Sequence, residues 1–348
     1  MKTPMLKMLT LGLAFAASSA AAENCLEITL TGTQGGPPVF NGLAGAGTLV
    51  RYGTVENNCS DVFLQFDTGR GTTQQLSKLG VPVGKLSGVF LTHMHSDHVE
   101  GLADLAQLRW HFNSGGPKLP LVCSEDTASP RGHVMSCTNF ADHIGDALIN
   151  SGEIAQRLAE NPKRLPGGPA DLLEVSQFGK SEGPITVWTS GEVVVSATFS
   201  RHVPGHASYR VDTPAGSVVI GGDAGNNKPV PPRDSSTSAE VEALAQGADV
   251  IVHSTIHPVM GPDGTTGFPP PIFFRQSTAT DLGAMAARTG AGHLMLTHLI
   301  PPLGTKRQGP YPLPAALTKA DYTTAVEDGG FKGDIIVGTD LATLRLKK

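Results

Sequence analysis

Short apolar runs separated by turn-rich joints make up most of this chain, and their periods sort them into strands and helices. Leu26-Glu27-Ile28-Thr29-Leu30-Thr31 alternates as a half-buried strand does, and the loop Gly32-Thr33-Gln34-Gly35-Gly36-Pro37-Pro38 ends it. Thr48 to Tyr52 and Asp61 to Asp67 read as the next strands. Leu86-Ser87-Gly88-Val89-Phe90-Leu91 reads as a buried strand running into a turn. Helical spacing begins at Val99 and continues through Leu102, Leu105 and Leu108 towards Trp110, a core residue. The stretch from Cys123 to Gly183 is the least legible. Within it Ser151 to Glu160 forms an amphipathic helix, Ile154 and Leu158 inward, stopped by Asn161-Pro162. Strands follow at Ile185 to Trp188, Val193 to Phe199 and Tyr209 to Asp212, then Ser217 to Asp223, a buried strand ending in an aspartate. Thr237-Ser238-Ala239-Glu240 has the form of a capping box opening a helix that Gly247 closes. Ala248 to His253 returns as a strand, Gln276 to Arg288 as a helix, His293 to His298 as a strand and Asp334 to Leu346 as terminal strands. Such alternation implies a layered α/β fold.

Composition adds a compartment and a size. Lys2 and Lys7, the apolar stretch from Met8 to Ala17 and the small residues from Ser18 to Ala22 have the form of a secretory signal peptide over 1–22, too short to span a membrane. The expected product is soluble, periplasmic or secreted, with no membrane partner. Residues 23–348, rich in Gly and Pro, fit one domain with insertions near 138–183 and 258–275. Such segments serve as lids, binding loops or dimer surfaces, so a homodimer is left open. Without Lys2 and Lys7 the chain has 24 basic against 31 acidic side chains, and a chain lacking a basic footprint is expected to have no nucleic-acid partner. Four cysteines in an oxidising space predict two disulfides with three connectivities. Cys25–Cys59, tying the first strand to its neighbour, and Cys123–Cys137, closing a local loop, are preferred. A thiolate at a metal is the competing use.

The chemistry concentrates in Thr92-His93-Met94-His95-Ser96-Asp97-His98. Alternation sends His93 and His95 to one side, and the following turn can aim Asp97 and His98 at a second point nearby. Imidazole nitrogen and carboxylate oxygen are ligands that Zn²⁺ and related divalent ions accept. A solvated His-rich loop is the plain alternative, yet such a loop has no reason to join an apolar strand to a helical pattern. Asp223 follows His202 by 21 residues, the length of one strand-turn-strand return. Asp142-His143 with Asp146 has the spacing of an accessory metal site, or more simply of a solvated helix face, and His206 and His257 have no assigned part.

His93-x-His95-x-Asp97-His98 resembles the signature of the metallo-β-lactamase superfamily. Phe66-Asp67-Thr68-Gly69-Arg70-Gly71-Thr72 and Val252-His253-Ser254-Thr255 resemble elements of its branch containing RNase Z, cyclic phosphodiesterases and zinc-dependent arylsulfatases. Ser200-Arg201-His202-Val203-Pro204, Gly222-Asp223 and Leu296-Thr297-His298 are similar to its remaining ligand motifs. The resemblance implies a four-layer αββα sandwich holding two Zn²⁺, with Mn²⁺ or Fe²⁺ as substitutes. His93, His95 and His202 would bind one ion and Asp97, His98 and His298 the other, with Asp223 bridging. Two ions roughly 3.5–4 Å apart lower the pKa of water from 15.7 toward ~7 and make a protein nucleophile unnecessary. Asp67 would support the ligands from outside, or cap its own turn. Asp97 and His253 would be catalytic, His253 meeting the oxyanion or the leaving group, unless it is a buried structural histidine. The branch implies a small anionic or aryl ester as substrate, a phosphodiester or aryl sulfate. Lactones or β-lactams are the alternative within the fold, and an iron-dependent oxidoreductase or a non-catalytic zinc-binding protein the alternatives outside hydrolysis. Phe268, Phe273 and Phe274 would line an aryl pocket or pack a loop.

Overall fold

The computed structural model describes residues 22–113, 116–228, 231–262 and 264–348; the expected signal peptide, but for Ala22, lies outside them. Fourteen strands form two large sheets. In chain order they are β1 (Asn24–Gly32), β2 (Gly47–Thr54), β3 (Val62–Phe66), β4 (Gly88–Phe90), β5 (Leu119–Ser124), β6 (Leu173–Phe178), β7 (Ile185–Ser190), β8 (Val193–Phe199), β9 (Ala207–Thr213), β10 (Gly216–Ile220), β11 (Val250–Ile256), β12 (His293–Ile300), β13 (Asp334–Val337) and β14 (Thr343–Lys347). The first sheet runs β14-β1-β2-β3-β4-β5-β6 and the second β13-β12-β11-β10-β9-β8-β7. Each is antiparallel in one half and parallel in the other, the change falling at β3 and at β10. The C-terminal ends of the parallel strands are where such sheets present their sites.

Burial defines the layers. Leu26, Ile28, Leu64, Phe66 and Phe90 of the first sheet pack against Val195, Tyr209, Val218, Val250 and Met295 of the second, forming the central core. The outer face of the first sheet is covered by α1 (Thr72–Lys78), α3 (Leu102–Asn113) and α4 (Cys137–Asn150), through Leu76, Leu102, Leu105 and Ile144. The outer face of the second is covered by α6 (Ala239–Leu244), α8 (Ala279–Thr289) and α9 (Lys319–Asp328), through Val241, Leu282, Met285 and Tyr322. Four layers, αββα, result. Two short helices, α2 (Ser96–Val99) and α7 (Pro270–Phe273), lie near the site, and α5 (Glu153–Glu160) packs Ile154 against Trp110. Among the described residues no helix is long and apolar enough to cross a membrane. Cys25 is bonded to Cys59 and Cys123 to Cys137, with Cα atoms 5.5 and 6.7 Å apart, the preferred pairs.

The structure departs from the sequence pattern in instructive places. The segment 138–183 is largely fold, since it supplies most of α4 and all of edge strand β6. The helical pattern beginning at Val99 breaks at Gly101, whose N–H bonds Thr68 O and whose Cβ would stand 2.4 Å from Gly69 O, so only glycine passes there. The N-cap of α6 is Ser238 rather than Thr237, and a capping box instead opens α9, where Thr318 and Asp321 bond each other's backbone.

Candidate metal centre

Five loops and strand ends converge on one point between the sheets. Asp67, just past β3, stands at φ 53° and anchors the first of them. Its Oδ1 accepts the Thr92 N–H at 2.7 Å, and its Oδ2 accepts the Thr92 hydroxyl and His98 Nδ1–H, each at 2.8 Å. That carboxylate therefore ties the loop after β4 to the helix α2 that carries Asp97 and His98. From the second sheet, His202 comes from the tight turn after β8, Asp223 from the end of β10, and His298 from a bulge in β12. The pairing of β11 with β12 steps from Ser254–Thr297 to Thr255–Leu299, leaving His298 unpaired at φ 45°, and a bulge of this kind re-aims a side chain.

The ligand atoms of His93, His95 and His202 lie within 4.8 Å of one another, as do those of Asp97, His98 and His298, and those of His93, His98 and Asp223. Asp223 Oδ2 stands 3.4 Å from His298 Nε2, 3.5 Å from His98 Nε2 and 3.7 Å from His202 Nε2, so one oxygen faces imidazoles of both sets. His298 Nε2 also lies 3.0 Å from Asp97 Oδ2 and 3.0 Å from the Gly36 nitrogen. Asp67 holds His98 by Nδ1, and the Arg275 carbonyl, at 3.4 Å, faces Nδ1 of His202, so both rings turn Nε2 inward. His98 Nε2, His202 Nε2 and Asp223 Oδ1 are buried with no hydrogen-bond partner. Buried polar atoms are almost always partnered, so these inward-facing orphans fit a bound cation. The seven residues supply the donor set of a metal centre.

Burial pushes His93 well below the ordinary imidazole value and takes His202 to about 4. Burial opposes ionisation of Asp97, but the His298 hydrogen bond and the nearby His98 hold its carboxyl at about 2. His98 is likewise disfavoured by burial, yet Asp223 and Asp67 outweigh it and raise that ring well above its usual range. The field that stabilises a proton there stabilises a metal cation equally.

These residues open onto a cavity of ≈340 Å³, bordered by His95, Asp97, His202, Asp223 and His298 and walled by Phe268, Arg275 and Tyr311 among others. His253 is not among its lining residues. It sits fully buried in β11, donates Nδ1–H to Ser254 O at 2.7 Å, and packs so tightly on Gly221 that a Cβ there would lie 2.1 Å from its ring. Its Nε2 is buried without a hydrogen-bond partner. Of the three phenylalanines of the 258–275 insertion, Phe268 lines the cavity, Phe273 is buried in the loop's own core, and Phe274 lies under the Arg233 guanidinium at 4.9 Å. His143 and Asp146 are exposed, 3.6 Å apart, and His257 caps a helical turn by accepting the Val259 N–H.

The linear pattern missed three residues. Thr92 is the link between Asp67 and the ligand loop. His206 is fully buried, takes the Asp223 N–H at Nε2 (3.1 Å) and pairs with Ser200 Oγ through Nδ1 (2.8 Å), so it positions the bridging aspartate and has no nitrogen left for a metal. Arg275 reaches the cavity from the loop before α8. No short-range signal marks their roles, because the contacts that define them, His206 to Asp223, Thr92 to Asp67 and Arg275 to His202, join residues 17 to 73 positions apart.

The sequence model of the family described as Anti-Pycsar protein Apyc1 matches residues 55–130. Ribonuclease Z of Mycobacterium bovis (strain BCG / Pasteur 1173P2) is 31% identical over 309 residues, covering 87% of this chain and 95% of its own length. Among solved structures, the metallo-β-lactamase fold protein YhfI from Bacillus subtilis superposes with a TM-score of 0.60 at 17% identity, over 92% of this chain and 99% of its own. The short form of human tRNase Z gives 0.58 at 15%, over 91% and 98%. Zn²⁺-bound PqqB from Methylobacterium extorquens gives 0.52 at 14%, over 91% and 99%. The expectation of no nucleic-acid partner is overturned by these ribonuclease relatives. Net charge sums the whole surface, and it says nothing of a local contact with a phosphate backbone. With a relative this similar over nearly its full length, and with the four-layer fold and its ligand cluster in place, the chain belongs to the ribonuclease Z branch of the metallo-β-lactamase superfamily.

Proposed function

We propose that this protein is a two-zinc hydrolase of phosphodiesters. The observation that carries the reading is the single oxygen, Asp223 Oδ2, within 3.7 Å of imidazoles from both ligand sets. His93, His95 and His202 would hold one ion, Asp97, His98 and His298 the other, and Asp223 both. When bound, two such ions lower the pKa of water toward ~7 and neutralise charge on the entering and leaving oxygens of a phosphoryl group. The chain's own part is to present seven ligands in fixed orientation. Asp67 and Thr92 hold His98, His206 holds the Asp223 backbone, and the β12 bulge holds His298. Asp97 serves as a ligand and as the partner of His298. His253 supports the turn at Gly221 to Asp223 from within the core. The ribonuclease relatives support RNA as one phosphodiester to be tested. The two cysteine pairs support an oxidising, exported location.

The test is elemental analysis of purified protein together with a panel of bis-p-nitrophenyl phosphate, a 3′-extended tRNA, p-nitrophenyl sulfate and a lactone. Two zinc ions per chain with turnover of one or both phosphodiesters are expected. One ion per chain, with Asp223→Ala leaving that count unchanged, refutes the shared bridge. Turnover of the sulfate or lactone alone refutes the substrate class.

A further inference from the structure

Among the described residues that line the cavity, Arg275 is the one arginine or lysine; the acidic groups there are Asp97 and Asp223. Among the described residues its guanidinium has no ion-pair partner within 4.0 Å and no hydrogen-bond acceptor, and its Nε is shielded from solvent without a partner. An arginine beside two carboxylates usually pairs with one. Here both carboxylates are engaged by imidazoles, and the arginine is held apart.

What holds it apart is its backbone. The Arg275 carbonyl faces His202 Nδ1 at 3.4 Å and packs against Gly225, where a Cβ would stand 2.5 Å from that oxygen. On one side Phe274 O accepts from Arg233 Nη1 at 2.8 Å, and on the other Ser277 Oγ donates to Ala224 O at 2.7 Å. Residue 275 is thus fixed relative to the same turns that deliver His202 and Asp223, while its side chain is left for something that enters the cavity. A planar, always charged fork of donors suits the oxygens of a tetrahedral anion.

We infer that Arg275 binds a non-bridging oxygen of the substrate's anionic group, so that the site selects an anionic ester over a neutral ester with the same leaving group. This rests on the hydrolase reading above and names its substrate class by charge. Inorganic phosphate is the probe, because it needs no turnover. Calorimetric titration of phosphate into zinc-loaded protein should show binding that Arg275→Ala weakens by ~10–100-fold, the loss expected of a charge-assisted bond. Arg275→Lys should recover part of it, since the charge is kept and the fork is lost. Zinc content should be the same in all three. In kcat/KM, Arg275→Ala should lose far more on bis-p-nitrophenyl phosphate than on p-nitrophenyl acetate. Phosphate affinity unchanged in Arg275→Ala, absent from the wild type, or lost together with zinc overturns the assignment, as does an equal loss on both esters. Wild-type protein that binds phosphate through Arg275 yet cleaves no phosphodiester would instead overturn the proposed reaction and leave the anion site standing.

Discussion

Asp67→Asn is the sharpest test of how this site is held. The change is nearly isosteric, and asparagine tolerates the φ of 53° that Asp67 adopts, so the backbone has no reason to move. What changes is the pattern of donors. The carboxylate accepts three hydrogen bonds of 2.7–2.8 Å, from the Thr92 N–H, the Thr92 hydroxyl and His98 Nδ1–H. If the amide oxygen stays on the Thr92 N–H, the NH₂ faces His98 Nδ1, which must then accept. The His98 proton moves to Nε2, the atom that faces Asp97 and Asp223 and would bind the ion. If the amide flips, two N–H donors oppose each other at Thr92, and a buried donor without a partner costs ~1–3 kcal/mol. Outer partners of ligating histidines typically contribute 10–100-fold in metal affinity, or ~1.4–2.7 kcal/mol. Competition with a graded series of chelators should therefore show one of two zinc ions weakened by that factor in Asp67→Asn, with the other little changed and the melting temperature of the metal-free protein lowered only modestly. Two ions held as tightly as in the wild type would refute the argument that Asp67 sets the tautomer of His98.

Three further outcomes follow from the same contacts. His206→Ala leaves the buried Asp223 N–H without its acceptor, so it should destabilise the protein by ~1–3 kcal/mol and lower zinc occupancy although every ligand is intact; denaturant melts and elemental analysis read the two effects. His253→Ala should keep both ions and cost stability as a cavity beneath Gly221, and the dependence of kcat on leaving-group pKa should be unchanged, whereas a steeper dependence would make His253 a proton donor after all. Loops of 34 and 14 residues closed by Cys25–Cys59 and Cys123–Cys137 predict losses of about 4 and about 3 kcal/mol on replacing each pair with serine, and mass spectrometry without reductant should find no free thiol.

Much of this molecule could be read along the chain, because two signals act over short range. Side-chain period separates strands such as β1, β8 and β12 from helices such as α3 and α8, and dense runs of ligand-type residues show where a cation can sit. His93, His95, Asp97 and His98 fall within six positions, so their joint meaning needs no knowledge of the fold. His202, Asp223 and His298 could be chosen only through their likeness to known motifs, since a lone histidine or aspartate at a strand end carries little by itself. The helices α4 and α9 went unread although their buried positions, Cys137, Ala141 and Ile144 in one and Tyr322, Ala325 and Val326 in the other, fall at helical spacing, whereas β6 buries only its ends, Leu173 and Phe178, and shows no alternation to read.

The tertiary structure decided the rest. Whether His253 faces substrate or core depends on which way one central strand turns its side chain and on the tight approach of Gly221, and neither is visible within Val252-His253-Ser254. The bulge that points His298 inward arises from a mismatch between β11 and β12, whose paired residues are 43 or 44 positions apart in the chain. His206, Thr92 and Arg275 take their roles from partners on other loops. Hydrophobic period is a property of neighbours along the backbone, whereas the orientation of a ligand, the tautomer of a histidine and the freedom of an arginine are properties of neighbours in space.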